Sequence, residues 1–130
     1  MKSDGFVNAV ENKDLDSLSE VLADDVRFLS PVVFRPYEGK ELVTGVLSMA
    51  AKVLEEFTYV WKLEDDGGAV LVFEARVGDR AVDGVDFLTF DADGSVAELK
   101  VMVRPMSGVN ALAEAMGREL DALGISPPTG

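Results

Sequence analysis

Residues 84–105 read GVDFLTFDADGSVAELKVMVRP, and the alternation along them decides the fold. Successive side chains of a strand point to opposite faces. Leu99, Val101 and Val103 therefore share one face, while Glu98, Lys100, Met102 and Arg104 share the other. The preceding run splits the same way, into Val85, Phe87 and Thr89 against Asp86, Leu88 and Phe90. Between the two runs, Asp91-Ala92-Asp93-Gly94 supplies a type I hairpin turn. A calcium loop would need its glycine at the sixth position, and here it is the fourth. The segment predicts an antiparallel hairpin with one apolar face, and that face contains a carboxylate.

Working upstream, the period of two extends back to Phe57, with turn signals at Asp65-Asp66-Gly67-Gly68 and Gly78-Asp79, so four antiparallel strands are expected. Before Phe57 the spacing is helical. Phe6, Val7 and Val10 form one short stripe, and Leu15, Leu18, Val21 and Leu22 form another that Asp14 is placed to N-cap. A strand over Val26 to Val33 is halted by Pro31 and Pro36, and a loop follows through Gly39. Leu42, Val43, Val46, Leu47, Ala50, Val53 and Leu54 mark a third helix. Downstream, Val109, Leu112, Ala113, Met116, Leu120 and Leu123 mark a last helix that stops at Gly124. The expectation is one α+β domain over residues 1–124 with a flexible tail over 125–130: a curved antiparallel sheet wrapped around three N-terminal helices, with a C-terminal helix.

Three helices cannot cover both faces of a long twisted sheet, so they fill its concave side and leave an apolar cavity at the open end. Phe73, Ala75 and Val77 face inward with Leu99, Val101 and Val103, while Glu74 and Arg76 are expected to pair with Lys100 and Glu98 across strands. Val70-Leu71-Val72-Phe73 and Val101-Met102-Val103 are continuously apolar, as in strands covered on both faces, which predicts a homodimer through the sheet.

Composition narrows the chemistry. The 130 residues contain neither cysteine nor histidine. Disulfides, thiolate nucleophiles, Ser-His dyads and the usual transition-metal ligands are therefore excluded, and neither cofactor nor metal is expected. Acid–base work falls to Asp, Glu, Tyr or Lys. With 24 acidic against 12 basic residues the formal charge is −12, which repels nucleic-acid backbones and anionic membranes. No apolar run reaches the roughly 20 residues of a membrane span, and the N-terminus lacks a signal-peptide pattern, so a soluble, cytoplasmic protein is expected.

Asp86 is the candidate catalytic residue, because a carboxylate among apolar side chains is costly unless paired or protonated. It either acts as an acid toward a bound carbonyl or is a buried structural group bonded to Tyr59, Trp61 or a backbone amide. Ser30 either bonds a ligand at the cavity floor or ends a strand. Tyr59 and Trp61, with Phe57 and Leu63, form an aromatic stripe that reads as core with one ring edge reaching the cavity. The expected lining is Phe28, Ser30, Tyr37, Tyr59, Trp61, Phe73, Leu88, Leu99, Val101 and Val103. A small apolar molecule is the expected partner.

The string Val26-Arg27-Phe28-Leu29-Ser30-Pro31, the helix after Gly39, and the runs from Gly84 to Asp91 and from Val101 to Pro105 together resemble a SnoaL-like member of the nuclear transport factor two-like superfamily. The resemblance implies a cone-shaped barrel, commonly dimeric through its sheet. In the ketosteroid isomerases of that superfamily the site combines a carboxylate base before the first-strand proline, a tyrosine on the first helix and a protonated Asp on a later strand. Asp86 matches the last, whereas Ser30 and Phe6 stand at the other two positions. Limonene epoxide hydrolases carry Arg-x-Asp where this chain has Gly84-Val85-Asp86. Polyketide cyclases of the SnoaL type and scytalone dehydratase rely on histidine. The resemblance implies either a lyase-, isomerase- or cyclase-type enzyme using Asp86 as acid, or a non-catalytic ligand-binding or dimerisation domain.

Overall fold

The computed structural model describes residues 1–128. In chain order the elements are α1 (Asp4–Glu11), α2 (Leu15–Val21), β1 (Leu22–Leu29), β2 (Tyr37–Glu38), α3 (Lys40–Val53), β3 (Glu55–Glu64), β4 (Gly68–Val77), β5 (Arg80–Phe90), β6 (Val96–Arg104) and α4 (Met106–Ala122). Asp14 caps α2 through the Ser17 amide at 3.2 Å, and the Ser17 hydroxyl donates to its other oxygen at 2.7 Å. The chain turns straight from α2 into β1, because Leu22 is already extended and pairs with Val96. β1 consequently starts four residues before Val26 and ends before Ser30. Tyr37 and Glu38, expected in a loop, form the short β2 against Phe28 and Arg27. Gly39 then enters α3 at a φ of +100°, a region few side chains tolerate.

The six strands lie in the order β2-β1-β6-β5-β4-β3, forming an open sheet that curves around the helices. All neighbours are antiparallel except β1 and β6, which run parallel. The sheet is therefore mixed. This order also corrects the expected charge ladder: β5 separates β4 from β6, so Glu74 and Arg76 never reach Glu98 and Lys100. Arg76 pairs instead with Glu55 (3.2 Å) and Glu56 (3.3 Å) on β3, and Glu98 pairs with Arg27 (3.2 Å) on β1. Such exposed pairs are each worth at most about 1 kcal/mol.

The stabilising surface is inside. Phe6 from α1, Val43 and Val46 from α3, Leu71 and Phe73 from β4, and Leu99 from β6 are almost wholly buried. Each large apolar side chain removed from water contributes roughly 1.5–3 kcal/mol. A smaller cluster of Leu54, Val77, Val82 and Leu112 closes the end where α3 and α4 meet the sheet. Ile125 packs against the main core and its amide bonds Leu120 O at 2.9 Å, so the segment expected as a loose tail begins anchored; residues 129–130 lie outside the described residues. No helix among the described residues is long and apolar enough to cross a membrane.

Candidate functional site

Between the concave face of the sheet and the helices lies a cavity of about 220 Å³. Strand alternation supplies its sheet wall: Leu99, Val101 and Val103 from β6, Phe73 from β4, Phe28 from β1 and Asp86 from β5. Tyr37 lines it as well, buried and stacked on Phe28 with ring centroids 5.9 Å apart. The helices close the other side with apolar groups such as Phe6, Leu47 and Met116.

Asp86 lies in the middle of β5, opposite Leu71 on β4 and Val101 on β6, and is 6% exposed. Its Oδ2 accepts a hydrogen bond of 2.5 Å from the Tyr59 hydroxyl. Oδ1 has no hydrogen-bond partner among the described residues. Burial raises the Asp86 carboxyl and the bond from Tyr59 offsets part of the rise, leaving it at about 7. Burial first, and then the charge of Asp86, raise the Tyr59 hydroxyl well above its ordinary range, so it remains a donor. The site thus holds a carboxyl that changes charge near neutrality with one oxygen fixed and one available.

Three of the expected lining residues lie elsewhere. Tyr59 sits behind Asp86 and reaches it with its hydroxyl rather than walling the cavity. Trp61 is 56% exposed on the outer face of the sheet. The cause is a bulge: Tyr59 pairs with Phe73 but Trp61 with Val72, so two β3 residues are spent against one on β4 and the parity of the strand flips. Leu88 does point inward, but it is packed into the main core beyond the end of the cavity. Ser30 borders the cavity, yet its Oγ accepts from the amides of Val32 (3.1 Å) and Val33 (3.0 Å), which makes it the pin of the β1–β2 loop.

The sequence reading missed Lys13 at the mouth, Phe57 as a wall and the contributions of Leu112 and Met116. Helical spacing had placed the last two on the inner face of α4, but spacing does not tell which turn of that face meets the cavity. No group of three or more metal-binding side chains gathers among the described residues.

The SnoaL-like domain family matches residues 4–99. A crystal structure of a steroid delta-isomerase from Pseudomonas aeruginosa is 39% identical, with 94% of this chain and 90% of that one covered and a TM-score of 0.89. An uncharacterised protein with a cystatin-like fold from Silicibacter pomeroyi is 28% identical over 92% of this chain and 85% of its own, with a TM-score of 0.90. A putative SnoaL-like polyketide cyclase from Shewanella denitrificans shares the fold at 18% identity, covering 93% and 95% of the two chains with a TM-score of 0.65. No curated protein matches the chain.

Proposed function

The chain belongs to the SnoaL-like domain family, and on that footing we propose that it binds a compact apolar carbonyl compound and acts on it as an isomerase-, lyase- or cyclase-type enzyme with Asp86 as the acid. The observation that carries this reading is the single buried carboxyl in an apolar cavity, fixed by Tyr59 and balanced between its two charge states near pH 7. A neutral Asp86 donates from its unbound oxygen to the ligand carbonyl, which stabilises the negative charge that develops on the carbonyl oxygen when an α-proton passes to water entering from the cavity mouth. Charge development inside an apolar pocket is where such a donor is most effective. The 39% identity to the Pseudomonas aeruginosa steroid delta-isomerase supports the isomerase end of the range. The small cavity, below the roughly 300–1,000 Å³ usual for drug-sized ligands, favours a compact substrate.

A second reading, a ligand-binding domain without catalysis, draws on Ser30. The residue at the family's base position is a hydroxyl occupied by two loop amides, and Asp86 is the only carboxylate among the lining residues. One experiment separates the two. Ketones, lactones, phenols and steroids are screened by thermal shift against the wild type and Asp86→Asn, and the binders are then followed by proton NMR in D₂O. Exchange of an α-proton that the wild type accelerates and Asp86→Asn does not supports the enzyme. Binding without exchange in either protein leaves the binding domain. The working form is taken to be a homodimer through the outer face of the sheet, where Trp61, Leu63 and Met102 are exposed.

A further inference from the structure

Only two of the residues lining the cavity, Asp86 and Lys13, carry a charged group, and they differ in depth. Asp86 is buried within the sheet wall, whereas Lys13 is exposed, in the turn between α1 and α2. Leu15, Val32 and Gly117 stand with it among the lining residues that solvent reaches, so the rim is apolar apart from one ammonium group.

Two features of Lys13 go beyond an ordinary surface lysine. Its φ is +54°, the left-handed region that costs a residue with a Cβ about 1–2 kcal/mol and that glycine or asparagine usually occupies. Two of the three acidic residues nearest it in sequence are also engaged elsewhere, while the third, Asp16, lies exposed in the first turn of α2. Glu11 accepts the Tyr59 amide at 3.2 Å, and Asp14 is held by Ser17. Among the described residues Lys13 enters none of the ion pairs.

Building on the proposed role of Asp86, we infer that the ligand is a compact apolar monoanion, an oxo acid whose carboxylate stays at the mouth on Lys13 while its carbonyl reaches Asp86. The reverse orientation would bury a second carboxylate beside Asp86 in a low-dielectric pocket, at a cost nothing there repays. At the rim the anion keeps much of its water and meets the one local cation. The chain's overall charge of −12 does not forbid this, because charges more than about 8–10 Å away are largely screened at physiological salt.

The test uses 4-oxo-4-phenylbutanoate and its methyl ester, which share an apolar body and a ketone but differ in charge. Affinities are measured by calorimetry for the whole chain as wild type, Lys13→Gln and Asp86→Asn. The wild type is expected to bind the acid about threefold to fivefold more tightly than the ester, the range of a partly exposed ion pair. That preference should fade at high salt and vanish in Lys13→Gln, with ester affinity unchanged. Asp86→Asn, whose amide still donates to the carbonyl, should bind both probes and keep the preference. Equal affinities in the wild type, or a preference that survives Lys13→Gln, overturn the inference while leaving the Asp86 reading intact. If neither probe binds the wild type, the carbonyl-pocket reading falls and takes the inference with it.

Discussion

At the scale of the residue, Asp86 ties the site's chemistry to the protein's stability. Its carboxyl has an ordinary value of 3.8 when the chain is unfolded and about 7 when burial encloses it. Between those values the folded state holds a proton that the unfolded state has lost. Stability therefore falls as pH rises from about 4 to 7 and stays low above that, with an upper limit of roughly 4 kcal/mol. Asp14 moves the other way, lowered by its bonds to Ser17, so its contribution is lost only on the acid side of its ordinary value. A slope between pH 5 and 8 thus belongs to Asp86. Asp86→Asn keeps the shape and the acceptor for Tyr59 but cannot ionise. Its melting temperature should exceed that of the wild type by several degrees at pH 8 and match it near pH 4. A wild type whose melting temperature does not fall between pH 5 and 8 would mean that the carboxyl is not neutral in the fold. The sequence showed this carboxyl among apolar neighbours because β5 keeps a strict alternation. It offered Tyr59 as one of three partners, beside Trp61 and a backbone amide, but could not choose among them, since the bond crosses from β3 over the intervening β4.

At the scale of the element, irregularity decides what alternation can and cannot tell. The bulge between Tyr59 and Trp61 moves one extra residue into β3, so a period of two that is right for Phe57 and Tyr59 is wrong from Trp61 onward. Nothing in Tyr59-Val60-Trp61 announces it. The parallel pairing of β1 with β6 is equally silent, because strand order is settled by packing between segments some 70 residues apart. Gly84, by contrast, has a reason visible only in three dimensions. It pairs with Phe73 on the neighbouring β4, and a Cβ there would lie 2.4 Å from Met102 O and 2.7 Å from the Phe73 ring. Neither group is free to move, as one is backbone and the other is packed in the core. Gly84→Ala should cost about 1–3 kcal/mol, the usual penalty for overpacking a filled interior. Urea unfolding checks it, and a loss under about 0.5 kcal/mol would mean that β5 has slack beside Asp86.

At the scale of the whole molecule, the outer face of the sheet is the feature a single copy leaves unexplained. Trp61, Leu63 and Met102 are 56%, 57% and 52% exposed there, with Val70, Val72 and Phe87 partly exposed between them. Contiguous apolar surface of this kind on a sheet marks a face that something covers. A second copy fits, because a two-fold axis matches the patch with itself and needs no other partner. The same strands were legible as doubly apolar from Val70-Leu71-Val72-Phe73 and Val101-Met102-Val103, where one parity fills the core and the other is left outside. Charge sets how such a dimer responds to salt. Two chains of −12 repel each other while their apolar faces attract, so added salt screens the repulsion and should tighten the dimer. Sedimentation at micromolar concentration should show a dimer that strengthens between low and moderate salt. The variant Trp61→Lys with Leu63→Asp should be monomeric with an unchanged circular-dichroism spectrum. A wild type that stays monomeric at every salt concentration would leave the outer face as plain surface. A dimer that weakens with salt would place the contact on ion pairs elsewhere.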